Sequence, residues 1–205
     1  MIDYLFDRME VAGCLEIRVV TRPDKRDVAA HARSRGAVVV LATPATVSDS
    51  LLSGLGDLAP ETSVVFGFPD TLWEPRDGLA RLLAALKPGV DVALGIFRAE
   101  APARSDVVTL EGNLVNAIQV KPEQPLSDLV WGCAASSAAV LRGLQGWPEP
   151  GDYFDRLARR GLVRGVRLTD PFVDIGTPDA LRRARAIAGN ANGGGRAGLS
   201  GEGAA

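Results

Sequence analysis

Apolar residues at Ile2, Leu5, Met9 and Ala12 recur at helical spacing, with Asp3, Asp7 and Glu10 elsewhere on the wheel. This predicts a helix over 2–12, closed by Gly13 just past its end. The period then changes. Leu15 to Val20 is rich in β-branched residues and reads as a strand, turned by Thr21-Arg-Pro-Asp. A helix over about 27–35 stops at Gly36. Ala37-Val-Val-Val-Leu-Ala is the next strand, and its central apolar run predicts burial on both faces. Ser48 or a neighbour caps a helix to about Leu58. Ser63 to Phe68 is a third strand, Leu79–Leu86 a helix, and Val90 to Phe97 a fourth strand. Strands alternating with helices predict an α/β fold with a doubly wound, mostly parallel sheet.

The middle of the chain breaks that rhythm. Val107-Val-Thr-Leu, Glu111-Gly-Asn and Leu114 to Val120 read as an inserted β-hairpin. Leu129 to Ala135 is a further strand, followed by a helix around Ser137–Leu144. The loop Gly146-Trp-Pro-Glu-Pro-Gly precedes a helix over 153–160 and a strand over 163–168. Phe172-Val-Asp-Ile-Gly is a short apolar segment ending in a turn. Thr177 then caps a helix whose first residue is Pro178 and which runs to about Ala188. Beyond it lie glycines and one large apolar residue, Leu199. The chain therefore divides into one α/β domain over 1–188 and a Gly-rich tail over 189–205, expected to be disordered.

Charge and composition narrow the function. Lys and Arg number 23 against 25 Asp and Glu, for a net charge of −2. That balance argues against a nucleic-acid partner. No apolar run approaches the roughly 20 residues of a membrane span, and the first residues have no basic-then-apolar leader pattern. A cytoplasmic location is the expectation. Cys14 and Cys133 have neither the spacing of a zinc site nor a disulfide framework. His31 is the only histidine and sits among alanines on a helix, with no second ligand or triad partner nearby. It is expected at or near the surface.

Three polar positions could carry chemistry. Asp70 directly follows the third strand, where open α/β sheets bind ligands; it could hold Mg²⁺ and thereby phosphate oxygens, or serve as an Asx-turn or helix cap. Asp174 lies between Val173 and Ile175. A carboxylate buried there would need a cation, a metal or backbone donors; capping the following helix is the other reading. Lys121, held by Pro122 at the end of the hairpin, could face an anionic substrate or simply solvent.

In their order these segments — "CLEIRVVTRPDK", "VVVLATPATVSDSLLSGL", "SVVFGFPDTLW", a hairpin ending "VKP", "WGCAASSAAVL" and "FVDIGTPDALRRA" — resemble the sugar-phosphate nucleotidyltransferases. These are the NDP-sugar pyrophosphorylases typified by glucose-1-phosphate thymidylyltransferase. The resemblance spans residues 2 to about 188. It implies the nucleotide-diphospho-sugar transferase fold, and a reaction in which a sugar 1-phosphate attacks the α-phosphorus of a nucleoside triphosphate and pyrophosphate leaves. It implies that Asp70 and Asp174 share Mg²⁺, that Lys121 contacts the sugar phosphate, and that Gly132 lets the sugar approach the backbone. Such chemistry rests on positioning and charge neutralisation, without a protein nucleophile. Family members often form homo-oligomers.

The departures from the pattern carry their own expectations. The family opens with a first strand and a G-G-x-G-T/S-R loop, followed by a Pro-Lys pair, and this sequence contains neither. By the family pattern about 30 N-terminal residues and the first, central strand are absent. The strands flanking it would then face a gap or close up, and the 205-residue chain is expected to be catalytically silent. Val120 stands where the family has a glutamate in Glu-Lys-Pro, and Thr46-Val-Ser-Asp-Ser replaces a Leu-Gly-Thr-Ala motif. Two other readings remain: a non-catalytic sugar-nucleotide-binding or regulatory relative, and a metal-dependent glycosyltransferase. The latter expects Asp-x-Asp at the strand end, where this chain has Asp70-Thr71-Leu72.

Overall fold

A computed structural model describes residues 2–168 and 171–193. The first helix, α1 (Ile2–Val11), buries Leu5, Phe6 and Arg8. Then come β1 (Arg18–Thr21), α2 (Arg26–Ser34), β2 (Val38–Leu41), α3 (Val47–Leu55) and β3 (Ser63–Gly67). The cap of α3 is Thr46, whose hydroxyl accepts from the Asp49 amide at 3.0 Å. A short strand that the pattern missed, β4 (Thr71–Trp73), precedes α4 (Gly78–Ala85) and β5 (Val92–Arg98). Strands β6 (Val107–Glu111) and β7 (Leu114–Gln119) form a hairpin. Then follow β8 (Leu129–Ser137), α5 (Ala138–Leu141), α6 (Pro150–Ala158), β9 (Val163–Arg167), β10 (Phe172–Asp174) and α7 (Pro178–Gly193). Thr177 caps α7 through its hydroxyl, which accepts from the Ala180 amide. The helix runs past its expected end at Ala188, and residues 194–205 of the expected tail lie outside the described residues.

The main sheet has six strands in the order β3-β8-β5-β9-β7-β6. It is mixed rather than mostly parallel. Among the described strands only β1–β2 and β5–β9 pair in parallel; β3–β8, β5–β8, β6–β7, β6–β8, β7–β9 and β10–β4 are antiparallel. The reason is β8, which enters between β3 and β5 in the opposite direction. A rhythm of strand and helix cannot reveal a strand inserted from later in the chain. The centre of the core lies on β5 and β8, which are buried on both faces. Val92, Leu94 and Ile96 face one apolar cluster with Phe154 and Leu141, while Ala93 and Phe97 face another with Trp73 and Leu79.

The first strands stand apart. β1 and β2 form their own two-stranded sheet, and no ladder joins β1 to β3 among the described residues. Val38 and Leu41 of β2 are exposed, at 44% and 52%, against the expectation of burial on both faces. With β1 as its only partner among the described residues, β2 is a sheet edge, and its apolar run reports β-propensity rather than two-sided burial. Between β1 and β3 lies a cleft of about 1140 Å³, bordered by Val19, Val20, Val64 and Val65 and by residues of α1 and α3. The flanking strands do not close up.

Candidate active site at the carboxyl end of the third strand

Strand β3 ends at Gly67, and Phe68-Pro69-Asp70 turns the chain into β4, with the Thr71 amide donating to the Phe68 carbonyl at 3.2 Å. Strand β4 pairs with β10, and Asp174 stands opposite Thr71 in that ladder. One step further along, the Ile175 amide donates to the Asp70 carbonyl at 2.8 Å. Positions 70 and 174 are thus diagonal across this pairing, Asp174 opposite Thr71 and Asp70 opposite Ile175. Both side chains are exposed, and neither forms an ion pair among the described residues. The exposure of Asp174 corrects the premise that its apolar neighbours bury it: in a strand, alternate residues point to opposite faces. Val173 turns into the core with Leu72 and Ala180, and Asp174 turns out.

Lys121 lies elsewhere on this end of the molecule. It has a left-handed backbone, with φ of 41°. Its ammonium pairs with Glu149 at 2.9 Å and is 55% exposed. No hydrogen bond or ion pair joins it to Asp70 or Asp174. Around this pair the structure gathers groups that sequence reasoning missed. Asp106 lies just before β6, and its carbonyl accepts from the Trp131 amide at 3.3 Å. Burial pushes its carboxyl up to about 6; Lys121 holds it down and Glu149 pushes it up further. Trp131 is 95% buried, with its ring 5.8 Å from that of Phe68, two residues before Asp70. Glu149 precedes α6 and is visible in sequence only as part of a Pro-Glu-Pro loop.

Gly132 is next to Trp131 on β8. The space a side chain would take there is already filled: a Cβ would meet Phe172 Cε2 at 2.5 Å. The close approach that this glycine permits is made by Phe172, stacked on Phe97 at 4.7 Å. Of the other singled-out residues, Cys133 is buried and Cys14 partly so, both as free thiols. His31 is 45% exposed and lies 2.9 Å from Asp3. No helix among the described residues is long and apolar enough to cross a membrane.

The carboxylates of Asp70, in the turn before β4, and Asp174, at the end of β10, are hard oxygen donors of the kind Mg²⁺ takes, and that ion keeps water and phosphate oxygens for its remaining positions. The donor set at Asp70 and Asp174 fits it in that sense. No cluster of three or more potential metal-ligating residues occurs among the described residues, so protein atoms alone would not enclose the ion.

No protein-family model matches the chain, and no curated protein matches it. Solved structures do. One, described provisionally as a glucose-1-phosphate thymidylyltransferase from Bacillus anthracis in complex with a sucrose, superposes with a TM-score of 0.80 at 16% identity, covering 98% of this chain and 84% of that one. The chain shares the fold of such enzymes. A UDP-glucose pyrophosphorylase from Acinetobacter baumanii gives 0.77 at 15% identity over 94% of this chain and 83% of its own. A UDP-glucose pyrophosphorylase complexed with UDP-glucose gives 0.77 at 16% over 93% and 86%.

Proposed function

We propose that the chain is a sugar-phosphate nucleotidyltransferase, joining the nucleotidyl group of a nucleoside triphosphate to a sugar 1-phosphate. A phosphate oxygen of the sugar attacks the α-phosphorus, the bond to the β-phosphate oxygen breaks, and pyrophosphate leaves. The observation that carries this reading is the pairing of Asp70 with the strand of Asp174 at the carboxyl end of β3. Asp70 and Asp174 would hold Mg²⁺, which when bound supplies charge neutralisation on the phosphate oxygens. Lys121 places a cation on the sugar-phosphate side once Glu149 yields it. The three solved neighbours, named for this enzyme class, support the reading at the level of fold.

A second reading, a relative that binds a sugar nucleotide without turning it over, is favoured by one feature of the sequence. No glycine-rich G-G-x-G loop occurs within the 205 residues to cradle a triphosphate. One assay separates the two. The chain is incubated with Mg²⁺, each common nucleoside triphosphate and a panel of hexose 1-phosphates, and pyrophosphate release is followed beside calorimetric binding. Release that requires both substrates establishes the transferase and overturns the expectation that the 205-residue chain is silent. Binding of a hexose 1-phosphate with no release identifies the binding relative, and absence of both overturns the whole assignment.

A further inference from the structure

Two sheet edges face each other across the cleft of about 1140 Å³. β1 pairs only with β2, and β3 only with β8, so among the described residues each keeps one edge without a ladder partner. The backbone N–H and C=O groups of such an edge call for partners, and an open edge is a template for another strand. Both edges start from the same end of the cleft. Arg18, at the start of β1, donates to the Gly54 and Leu55 carbonyls at 3.2 and 2.9 Å. β3 begins at Ser63, a short connection beyond the end of α3 at Leu55. One straight segment can therefore lie along both.

The walls say what that segment must be. Successive residues of a strand point to opposite faces. Val19 packs on the cluster of Phe6, and Val65 on that of Leu5 and Met9, all three on α1. Val20 lies against Gly54 of α3, where a Cβ would come 3.2 Å from it, and Val64 packs on the cluster of Leu51 and Leu55. So α1 covers one face of the cleft and α3 the other, while all four valines stay partly exposed between them. A strand seated there is buried on both faces, the setting that selects a continuous run of Val, Ile and Leu rather than an alternating one. Strands about 4.8 Å apart in layers about 10 Å thick give each residue roughly 160 Å³, so the cleft has room for about seven. The Gly-rich sequence of 194–205, with Leu199 as its one large apolar residue, has no such run.

We propose that the cleft is a strand acceptor. It takes one extended peptide segment of a partner chain, about seven residues long and apolar on both faces, which pairs with β1 on one side and β3 on the other. The segment joins the β1–β2 ribbon to the six-stranded sheet as one ladder and buries the four valines. An apolar molecule without backbone groups would fill the same volume and leave both edges unpaired. Phe68 and Glu149 also line the cleft, so the segment ends beside the residues that lead to Asp70 and hold Lys121. This inference stands apart from the nucleotidyltransferase reading.

The test uses the full chain and three dye-labelled peptides. One has a seven-residue Val/Ile/Leu core between lysine pairs. The second has serine at every second core position, and the third is N-methylated at every second core amide. Fluorescence anisotropy reads binding, and native-state hydrogen exchange reads the amides of Arg18–Thr21 and Ser63–Gly67. The unmodified peptide should bind and slow exchange in both strands. The other two should bind about tenfold or more weakly, one through lost burial on a face and the other through lost ladder bonds along an edge. No binding, equal binding of all three peptides, or binding that leaves either strand exchanging as before overturns the proposal. So does protection of both strands by dimerisation of the peptide-free chain, read by sedimentation at rising concentration, which assigns the cleft to a second copy.

Discussion

The Ile175 amide donates to the Asp70 carbonyl at 2.8 Å, so a single backbone hydrogen bond fastens the turn after β3 to the strand that carries Asp174. The main chain sets the relation between the two acids, and neither side chain forms an ion pair among the described residues. Function and stability are thereby separable at these positions.

Asp70→Asn and Asp174→Asn should each leave the melting temperature within experimental error, because exposed carboxylates without partners contribute little to folding. Each should lower pyrophosphate release about 100-fold or more, as the loss of a few kcal/mol of charge neutralisation at the phosphates implies. Chelation of Mg²⁺ with EDTA should abolish release in the wild type. A thermal melt beside the release assay checks both halves.

Lys121→Ala should change stability by less than about 1 kcal/mol, since its pair with Glu149 is largely exposed. It should raise KM for the sugar phosphate or lower kcat. Lys121→Arg should recover only part of the loss, because a planar fork does not reproduce a compact ammonium. Steady-state kinetics with the sugar phosphate varied reads the difference.

Arg8 is 3% exposed and ties α1 to the end of β4. Its guanidinium donates to the Trp73 carbonyl at 3.1 and 2.7 Å, to the Tyr4 carbonyl at 3.1 Å and to Glu74 at 3.1 Å. Arg8→Met should cost about 2 kcal/mol, since Glu74 loses its cation and keeps only the Tyr4 hydroxyl, and the Trp73 carbonyl loses two donors. Arg8→Lys should not restore it, because one ammonium cannot span these acceptors. Urea denaturation gives the comparison.

Gly132→Ala should destabilise by about 1–3 kcal/mol, the usual cost of overpacking, because its methyl would fall 2.5 Å from Phe172. Phe172→Leu in the same chain should recover part of that loss. A double-mutant cycle by denaturation tests the coupling.

Asp106 makes stability depend on pH. Its carboxyl is raised from 3.8 to about 6 by burial, so the folded state holds that proton more tightly than the unfolded chain does. The contribution is fully present below about pH 4 and is lost as pH rises through about 6, a change of roughly 2–3 kcal/mol. The stability difference between wild type and Asp106→Asn should shrink in the wild type's disfavour over that interval, as read by denaturation at a series of pH values.

The sequence made the elements legible where local physics sets them. The helical spacing of Ile2, Leu5 and Met9, the Thr177-Pro178 start of α7 and the Glu111-Gly-Asn turn of the hairpin all depend on near neighbours. Strand order does not. β8 takes its place between β3 and β5 through residues far off in sequence, and no local period encodes that choice. β4 escaped notice because three residues are too few to show alternation; its pairing with β10 supplies the strand. At the site, Asp70, Asp174 and Lys121 stood out because they end strands or interrupt apolar runs. Asp106 opens a strand after Ser105, and Trp131 sits in an apolar stretch, so neither position announces a polar role. Only folding buries the two together beside Lys121 and Glu149.

The cleft between β1 and β3 also divides the molecule in time. Within a sheet, the ladder couples the opening of one strand to the next, but here that coupling stops at the cleft. The β1–β2 ribbon is held to the rest by helix packing and by contacts such as Arg18 to the Leu55 carbonyl, at 2.9 Å. Units joined in this way open separately, each with its own free energy. Native-state hydrogen exchange should therefore find two cooperative units, with β5 amides opening only on global unfolding. Those of Arg18–Thr21 and the free edge of Ser63–Gly67 should exchange long before it. The candidate site, built on β3, β4, β8 and β10, would keep its shape while the ribbon opens and closes beside it.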